Sequence, residues 1–185
     1  MLYVGHGGCG WCVAGPHPCG VGCAWQSALW WAALSGYTEL VDVLLQVGSD
    51  PIPDIHELWR RLAFNFLICN TDDHLRNTGL LYDARRRGWR LAPAFDLNPM
   101  PGDRRESKIW LTEDSGPIDS RQILMDGAPY FRLSAQEATT IWDEVTKAVG
   151  AWRAVGQGTG HAKGGLDRFR ACIDVVREAI SLGAG

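Results

Sequence analysis

Between Ile55 and Leu67 the apolar side chains fall on one helical face, and that face ends directly in a polar octet. No other junction constrains the fold as much. Ile55, Leu58, Trp59, Leu62, Ala63, Phe66 and Leu67 keep the i, i+3, i+4, i+7 pattern of an amphipathic helix with a wide buried stripe. A stripe that wide makes the helix central to a core. The segment after it is therefore carried to a fixed place. That segment is NTDDHLRN, residues 70–77, which concentrates carboxylates, carboxamides and an imidazole beyond the needs of an ordinary turn.

Asp54 and Glu57 have capping-box spacing, so the helix is expected to open at Asp54 with DPIPD as a short linker before it. Upstream, Thr38 reads as the N-cap of a helix with Leu40, Val41, Leu44 and Leu45 on one face and Gly48 at its end. Downstream, TGLLYD and WRLAPAFD read as two short strands joined through ARRRG. Ser134 and Glu137 cap a helix reaching about Val149, with Ala138, Ile141, Trp142 and Val145 on its inner face. GQGTGHAKGG reads as a flexible loop, and Leu166, Phe169, Cys172, Ile173, Val176 and Ile180 mark a last amphipathic helix. The fold class is α+β, mainly α, with one β-hairpin.

The hairpin has a chemical consequence. With its turn centred near Arg86, opposed residues sum to about 172, so Asn77 faces Phe95 and Asp96 comes close to Asn77. Two hard oxygen ligands then suffice for Mg²⁺, which keeps several of its waters. Asp72, five residues before Asn77, is held off the metal and can orient an attacking hydroxyl. An Asp and an Asn five apart, with a second Asp after a hairpin, is the order that phosphoryl transfer uses in protein kinases. Taken alone, the Asp-x-His-x-x-Asn match is also ordinary turn chemistry. The returning Asp96 is what favours the functional reading.

FNFLICNTDDHLRNTGLLYD together with GWRLAPAFDLNP closely resembles the C-terminal domain of the HipA family, bacterial Ser/Thr protein kinases that form the toxin halves of toxin–antitoxin pairs. The likeness is strongest over residues 58–99 and extends more weakly over 27–182. It implies a kinase-like large lobe that transfers the γ-phosphate of ATP to a protein hydroxyl. Asp72 matches the catalytic base, and Asn77 and Asp96 match the Mg²⁺ ligands. His74 matches the family's loop histidine, in the cofactor-binding cluster; its own chemistry reads first as an imidazole holding the loop. Asp73 and Arg76 read as solvated loop charges, with a phosphate contact as the alternative for Arg76. The partners implied are a protein with a Ser or Thr acceptor and a HipB-like antitoxin. Phosphoinositide kinases share Asp-x-His-x-x-Asn but place Asp-Phe-Gly after it, whereas this chain has Asp96-Leu97-Asn98-Pro99.

Two features depart from the family. Its ATP-binding lysine and Gly-rich loop both precede the catalytic loop, yet the first lysine here is Lys108. The small lobe is thus expected to be missing, and activity from this chain alone to be weak or absent. GHGGCG at residues 5–10 fits a phosphate-loop pattern, but no lysine or helix comes after it as required. Residues 1–26 form a separate Gly- and Cys-rich segment. There Cys9, Cys12, His17, Cys19 and Cys23 approach a zinc-knuckle spacing one residue too long, so the alternatives are a zinc site or reduced cysteines. A lone large lobe acting as a non-catalytic interaction module is the other reading. Net charge is −3 with no basic stripe, which argues against direct nucleic-acid binding. Val21–Leu34 falls short of a membrane span, so no membrane association and a cytoplasmic location are expected.

Overall fold

In a computed structural model, the described residues are 36–101, 106–158, 167–170 and 173. The Gly/Cys-rich segment, its zinc and phosphate-loop candidates, and Cys172 lie outside them. In chain order the described elements are α1 (Tyr37–Val47), α2 (Pro51–Leu67), a 3₁₀ turn (Leu75–Asn77), β1 (Leu80–Asp83), β2 (Gly88–Leu91), α3 (Arg121–Gly127), a second 3₁₀ turn (Ala128–Phe131), α4 (Ala135–Gly150) and α5 (Trp152–Gly158). Among the described residues the domain is mainly helical, with one two-stranded antiparallel hairpin.

α2 is the central element. Ile55, Leu58, Trp59, Leu62, Ala63 and Leu67 are all buried, as the periodicity requires, while Phe66 is partly buried and lies against Trp142 of α4. α2 packs on both α1 and α4. It starts earlier than its capping spacing suggests. Pro51 and Pro53 are not a linker but belong to the first helical turn, where a missing N–H costs nothing. Asp54 is consequently a buried residue of the helix and not its cap, and it faces the hairpin instead. α1 likewise begins at Tyr37 after Gly36, with Thr38 inside it and no side-chain cap from Gly36. The backbone N–H groups of Tyr37 and Thr38 are taken up by the carbonyls of Trp110 and Leu111, so a capping side chain is unnecessary. Gly48 ends α1 as expected.

The Ser134–Glu137 capping box is present and opens α4, whose Ala138, Ile141, Trp142 and Val145 are buried. The turn-rich middle contains α3, started by Ser120, whose hydroxyl accepts from Ile123 N. The segment read as a flexible loop begins inside a helix, since α5 runs to Gly158. Of the last helix, Ile173 is buried and its N–H donates to the Phe169 carbonyl.

The hairpin pairs Leu80 with Leu91, Leu81 with Arg90, Tyr82 with Trp89 and Asp83 with Gly88. Partners sum to 171, one less than a turn near Arg86 predicts. The cause is Asp83: its carboxylate accepts from the backbone N–H of Arg85 and Arg86, so the turn is centred between these two residues. Arg87 adopts the left-handed conformation that brings the chain back into β2. Gly88 has no side chain for a steric reason. A Cβ there would lie 2.8 Å from Ser49, whose N–H donates to the Trp89 carbonyl and ties β2 to the end of α1.

Candidate functional site

The octet leaves α2 through an abrupt backbone change. Cys69, buried, has φ 54°, an uncommon conformation for a residue other than glycine. Asn70 then folds back onto the helix. Its N–H donates to the Asn65 carbonyl (2.8 Å), its Nδ2 donates to Asn65 Oδ1 (3.0 Å), and its Oδ1 accepts from Asp72 N (3.2 Å). Asn65 and Asn70 are both buried, so this amide pair fixes the start of the loop on a rigid element. Arg61, one turn earlier on α2, donates to the Ala92 carbonyl (2.7 Å) and to Glu57 (2.9 Å). α2 thus supports both the loop and the strand that returns to it.

Asp73 is not a solvated loop charge. It is 4% exposed. Its Oδ1 accepts from the backbone N–H of Lys108 (2.8 Å) and its Oδ2 from the Tyr37 hydroxyl (3.2 Å), which also donates to the Asp73 carbonyl (2.8 Å). Burial pushes the Asp73 carboxyl above its ordinary value, against the lowering effect of these hydrogen bonds. Burial, with the Asp73 charge next to it, also raises the Tyr37 hydroxyl well above its usual range. Arg76 is exposed, in keeping with a loop charge.

Asp72 points the other way and is about half exposed. Its Oδ1 is ion-paired to Lys108 Nζ and lies 3.8 Å from His74 Nε2. The Lys108 hydrogen bond holds the Asp72 carboxyl below its ordinary value. His74 Nδ1 is buried, with no hydrogen-bond partner among the described residues. Asn77 ends the 3₁₀ turn, and its Nδ2 donates to the Asp72 carbonyl (2.9 Å).

The β-ribbon does not reach Asn77. Its last cross-strand bond runs from Ala92 N to the Gly79 carbonyl, and the 171 register carried onward sets Asn77 level with Ala94, not Phe95. Asn77, Ala94 and Leu97 line one small cleft together with Asp73, Asn70 and Arg61. Asp96 lies on the segment between Ala94 and Leu97. It is exposed, has φ 56°, and accepts from Asn98 Nδ2 (2.8 Å). The structure thus gathers Asp72, His74, Asn77 and Lys108, and brings the Asp96 segment to the cleft that Asn77 lines. Among the described residues no direct bond joins Asp96 to Asn77, and no three His, Cys, Asp or Glu side chains form a metal-binding group.

The donor chemistry at Asn77 and Asp96 suits a hard cation. The Asn77 nitrogen is committed to the backbone, which leaves its oxygen as the available ligand. Asp96 uses one oxygen for Asn98. One carboxylate and one amide oxygen match what Mg²⁺ takes from a protein. Cys69, where the chain enters the loop, and Asp96, where it returns to the cleft, are both left-handed, as are Arg87 in the hairpin turn and Arg132 after the second 3₁₀ turn.

Asp73 carries a pH-dependent prediction. A carboxyl whose folded-state value is raised binds its proton more tightly in the folded than in the unfolded chain. Its contribution is therefore most favourable at low pH and declines as pH rises from the ordinary aspartate value through the raised one. Asp73→Asn is expected to remove that decline. The amide oxygen can accept from Lys108 N while the amide nitrogen donates to Tyr37, so stability at neutral pH should stay within about 1 kcal/mol of the parent. Urea midpoints measured from acidic to neutral pH would check both statements.

Sequence reasoning missed Tyr37, Asn65 and Lys108. Arg61 and Asn65 carried a signal: two polar residues at i, i+4 placed among the buried positions of an apolar helix. Lys108 carried none, being 36 residues from Asp72 in an irregular segment.

The molecule is thus an α+β domain in which a buried helix presents an acidic loop beside a hairpin. It belongs to the HipA-like C-terminal domain family, whose model matches residues 23–152. That match begins slightly before and ends well before the 27–182 span of the resemblance. Comparison with curated proteins and with solved structures gives no match.

Proposed function

We propose that this domain is the large lobe of a HipA-type Ser/Thr protein kinase, carrying the γ-phosphate of ATP to a protein hydroxyl. The observation that carries the reading is the placement of Asp72. Its carboxylate is half exposed, ionised beside Lys108, and held on a loop anchored by buried groups: Asn70 on Asn65, and Asp73 on Tyr37.

Asp72 accepts the hydrogen of the attacking Ser or Thr hydroxyl and orients its oxygen towards the phosphorus. His74 flanks Asp72 and keeps one ring nitrogen inside the loop. Asn77 and Asp96 would hold Mg²⁺. When bound, Mg²⁺ supplies positive charge to the phosphate oxygens as negative charge moves onto them. The acceptor protein is unspecified, and a HipB-like antitoxin is the regulatory partner that this family implies. Among the described residues no helix is long and apolar enough to cross a membrane.

The test is transfer of labelled phosphate from ATP to a protein acceptor, paired with Mg²⁺-dependent ATP binding. Transfer by this chain alone is expected to be weak or absent, so Mg²⁺-dependent ATP binding is the deciding readout; any transfer that is measured is expected to fall by about 10²-fold or more in Asp72→Asn, with ATP binding intact. Asp96→Ala is expected to abolish the Mg²⁺ dependence of binding. Transfer that is indifferent to Asp72, or ATP binding that ignores Mg²⁺, would refute the proposal.

A further inference from the structure

Lys108 is the first lysine of the sequence, and it comes after every residue of the candidate site. In space it stands at the centre. Its Nζ is paired with the Asp72 carboxylate, and its backbone N–H donates to the buried Asp73 carboxylate. One residue thus touches two consecutive acids of the loop by two different routes.

The two contacts differ in kind. The backbone bond to Asp73 is part of a buried network with Tyr37, so the Cα of Lys108 is fixed to the loop. The side-chain pair lies in solvent, with Lys108 55% and Asp72 49% exposed. Exposed pairs of this sort add little to stability and exchange partners readily. The fold therefore anchors the lysine backbone firmly and leaves the ammonium free to change partner, right beside the group that must orient the acceptor hydroxyl.

We infer that Lys108 is a terminal-phosphate-binding residue: its ammonium leaves Asp72 for an oxygen of the γ-phosphate when Mg²⁺-nucleotide binds. This rests on the kinase reading of the site. The phosphorus being attacked must come within reach of a hydroxyl hydrogen-bonded to Asp72, so its equatorial oxygens arrive next to Lys108 Nζ. A compact ammonium with three donors suits one phosphate oxygen. The exchange also releases the Asp72 carboxylate to the acceptor hydroxyl. No bond is made or broken in this step, and the charge on each group is unchanged.

The experiment compares Mg²⁺-bound nucleotides that do and do not carry a third phosphate. Calorimetric titration of the full chain with a non-hydrolysable ATP analogue and with ADP gives one dissociation constant for each. The analogue is expected to bind about ten-fold more tightly than ADP, and Lys108→Met is expected to erase that difference while moving the ADP value less than about two-fold. Lys108→Arg keeps most of the discrimination. Lys108→Gln repeats the measurement where Lys108→Met is unstable, since both variants keep the backbone N–H bonded to Asp73. If Lys108→Met and Lys108→Gln leave the discrimination intact, or weaken both nucleotides alike, the inference is overturned while the kinase reading stands. If the parent chain binds neither nucleotide with Mg²⁺, both fall together.

Discussion

Trp59→Ala should destabilise the domain by about 3–5 kcal/mol, enough to consume much of the ~5–15 kcal/mol by which a domain of this kind is stable. Trp59 is fully buried in the middle of α2 and contributes its indole to the core cluster formed with α1, α3 and α4. Its Nε1–H donates to the Leu124 carbonyl (3.3 Å) in α3. Truncation opens a cavity too large for the surrounding helices to close and leaves that carbonyl without the indole donor. The second buried tryptophan provides the control. Trp142 is buried as well, at 1% exposed, but its Nε1 has no hydrogen-bond partner among the described residues. Trp142→Phe therefore removes a buried polar group that gains nothing, whereas Trp59→Phe removes one that is paired. Trp59→Phe is expected to cost about 1–2 kcal/mol more than Trp142→Phe in urea denaturation. Equal costs would mean that the α2–α3 hydrogen bond contributes nothing to the core.

The same contrast explains what the sequence could and could not convey. The apolar stripe of α2 was readable because burial imposes a helical period, and the α4 capping box because its two residues are three apart. The start of α2 is ambiguous in the sequence because proline has two meanings: it breaks a helix interior yet suits a first turn. Asp54 has cap chemistry and cap spacing, but its carboxylate is used by β2, which no local rule could foresee. The hairpin was visible from alternation and turn residues. Its register was off by one because the Asp83 side chain, not the run of arginines, sets the turn. In the candidate site, the order of Asp72, Asn77 and Asp96 is what the sequence offers for the proposed chemistry. The burial of Asp73 was not legible, because its partners Tyr37 and Lys108 are 36 and 35 residues away. Hydrogen bonds made across such distances leave no pattern in the chain. The interrupted apolar face at Arg61 and Asn65 is the exception, and it points to the cleft that both residues line.

Asp54→Ala is expected to detach the hairpin from α2 at a cost of about 2–3 kcal/mol. Asp54 is 5% exposed and accepts three hydrogen bonds: from Arg90 Nε (2.8 Å), Arg90 Nη2 (2.9 Å) and Leu91 N (3.0 Å). Breaking a fully buried pair typically costs about 3–5 kcal/mol. The Arg90 side chain, however, is one-third exposed and can be hydrated once it is freed, which reduces the loss. The Leu91 N–H is buried and cannot be. A double-mutant cycle with Arg90→Ala should give a coupling of about 1 kcal/mol or more, because the bidentate geometry is lost in either single variant. The consequence for the site comes from topology. Asn77 lies just before β1 and Asp96 five residues past β2, so the seating of this ribbon on α2 sets where the two chain segments meet. Asp54→Ala should accordingly weaken Mg²⁺-dependent nucleotide binding, although Asp54 touches neither proposed ligand. Arg86→Ala, which removes exposed pairs at the turn end of the same ribbon, should leave that binding unchanged. A coupling near zero would show that the carboxylate is merely tolerated beside the strand. Strong coupling with unchanged Mg²⁺ dependence would separate the ribbon's anchoring from the geometry of the site.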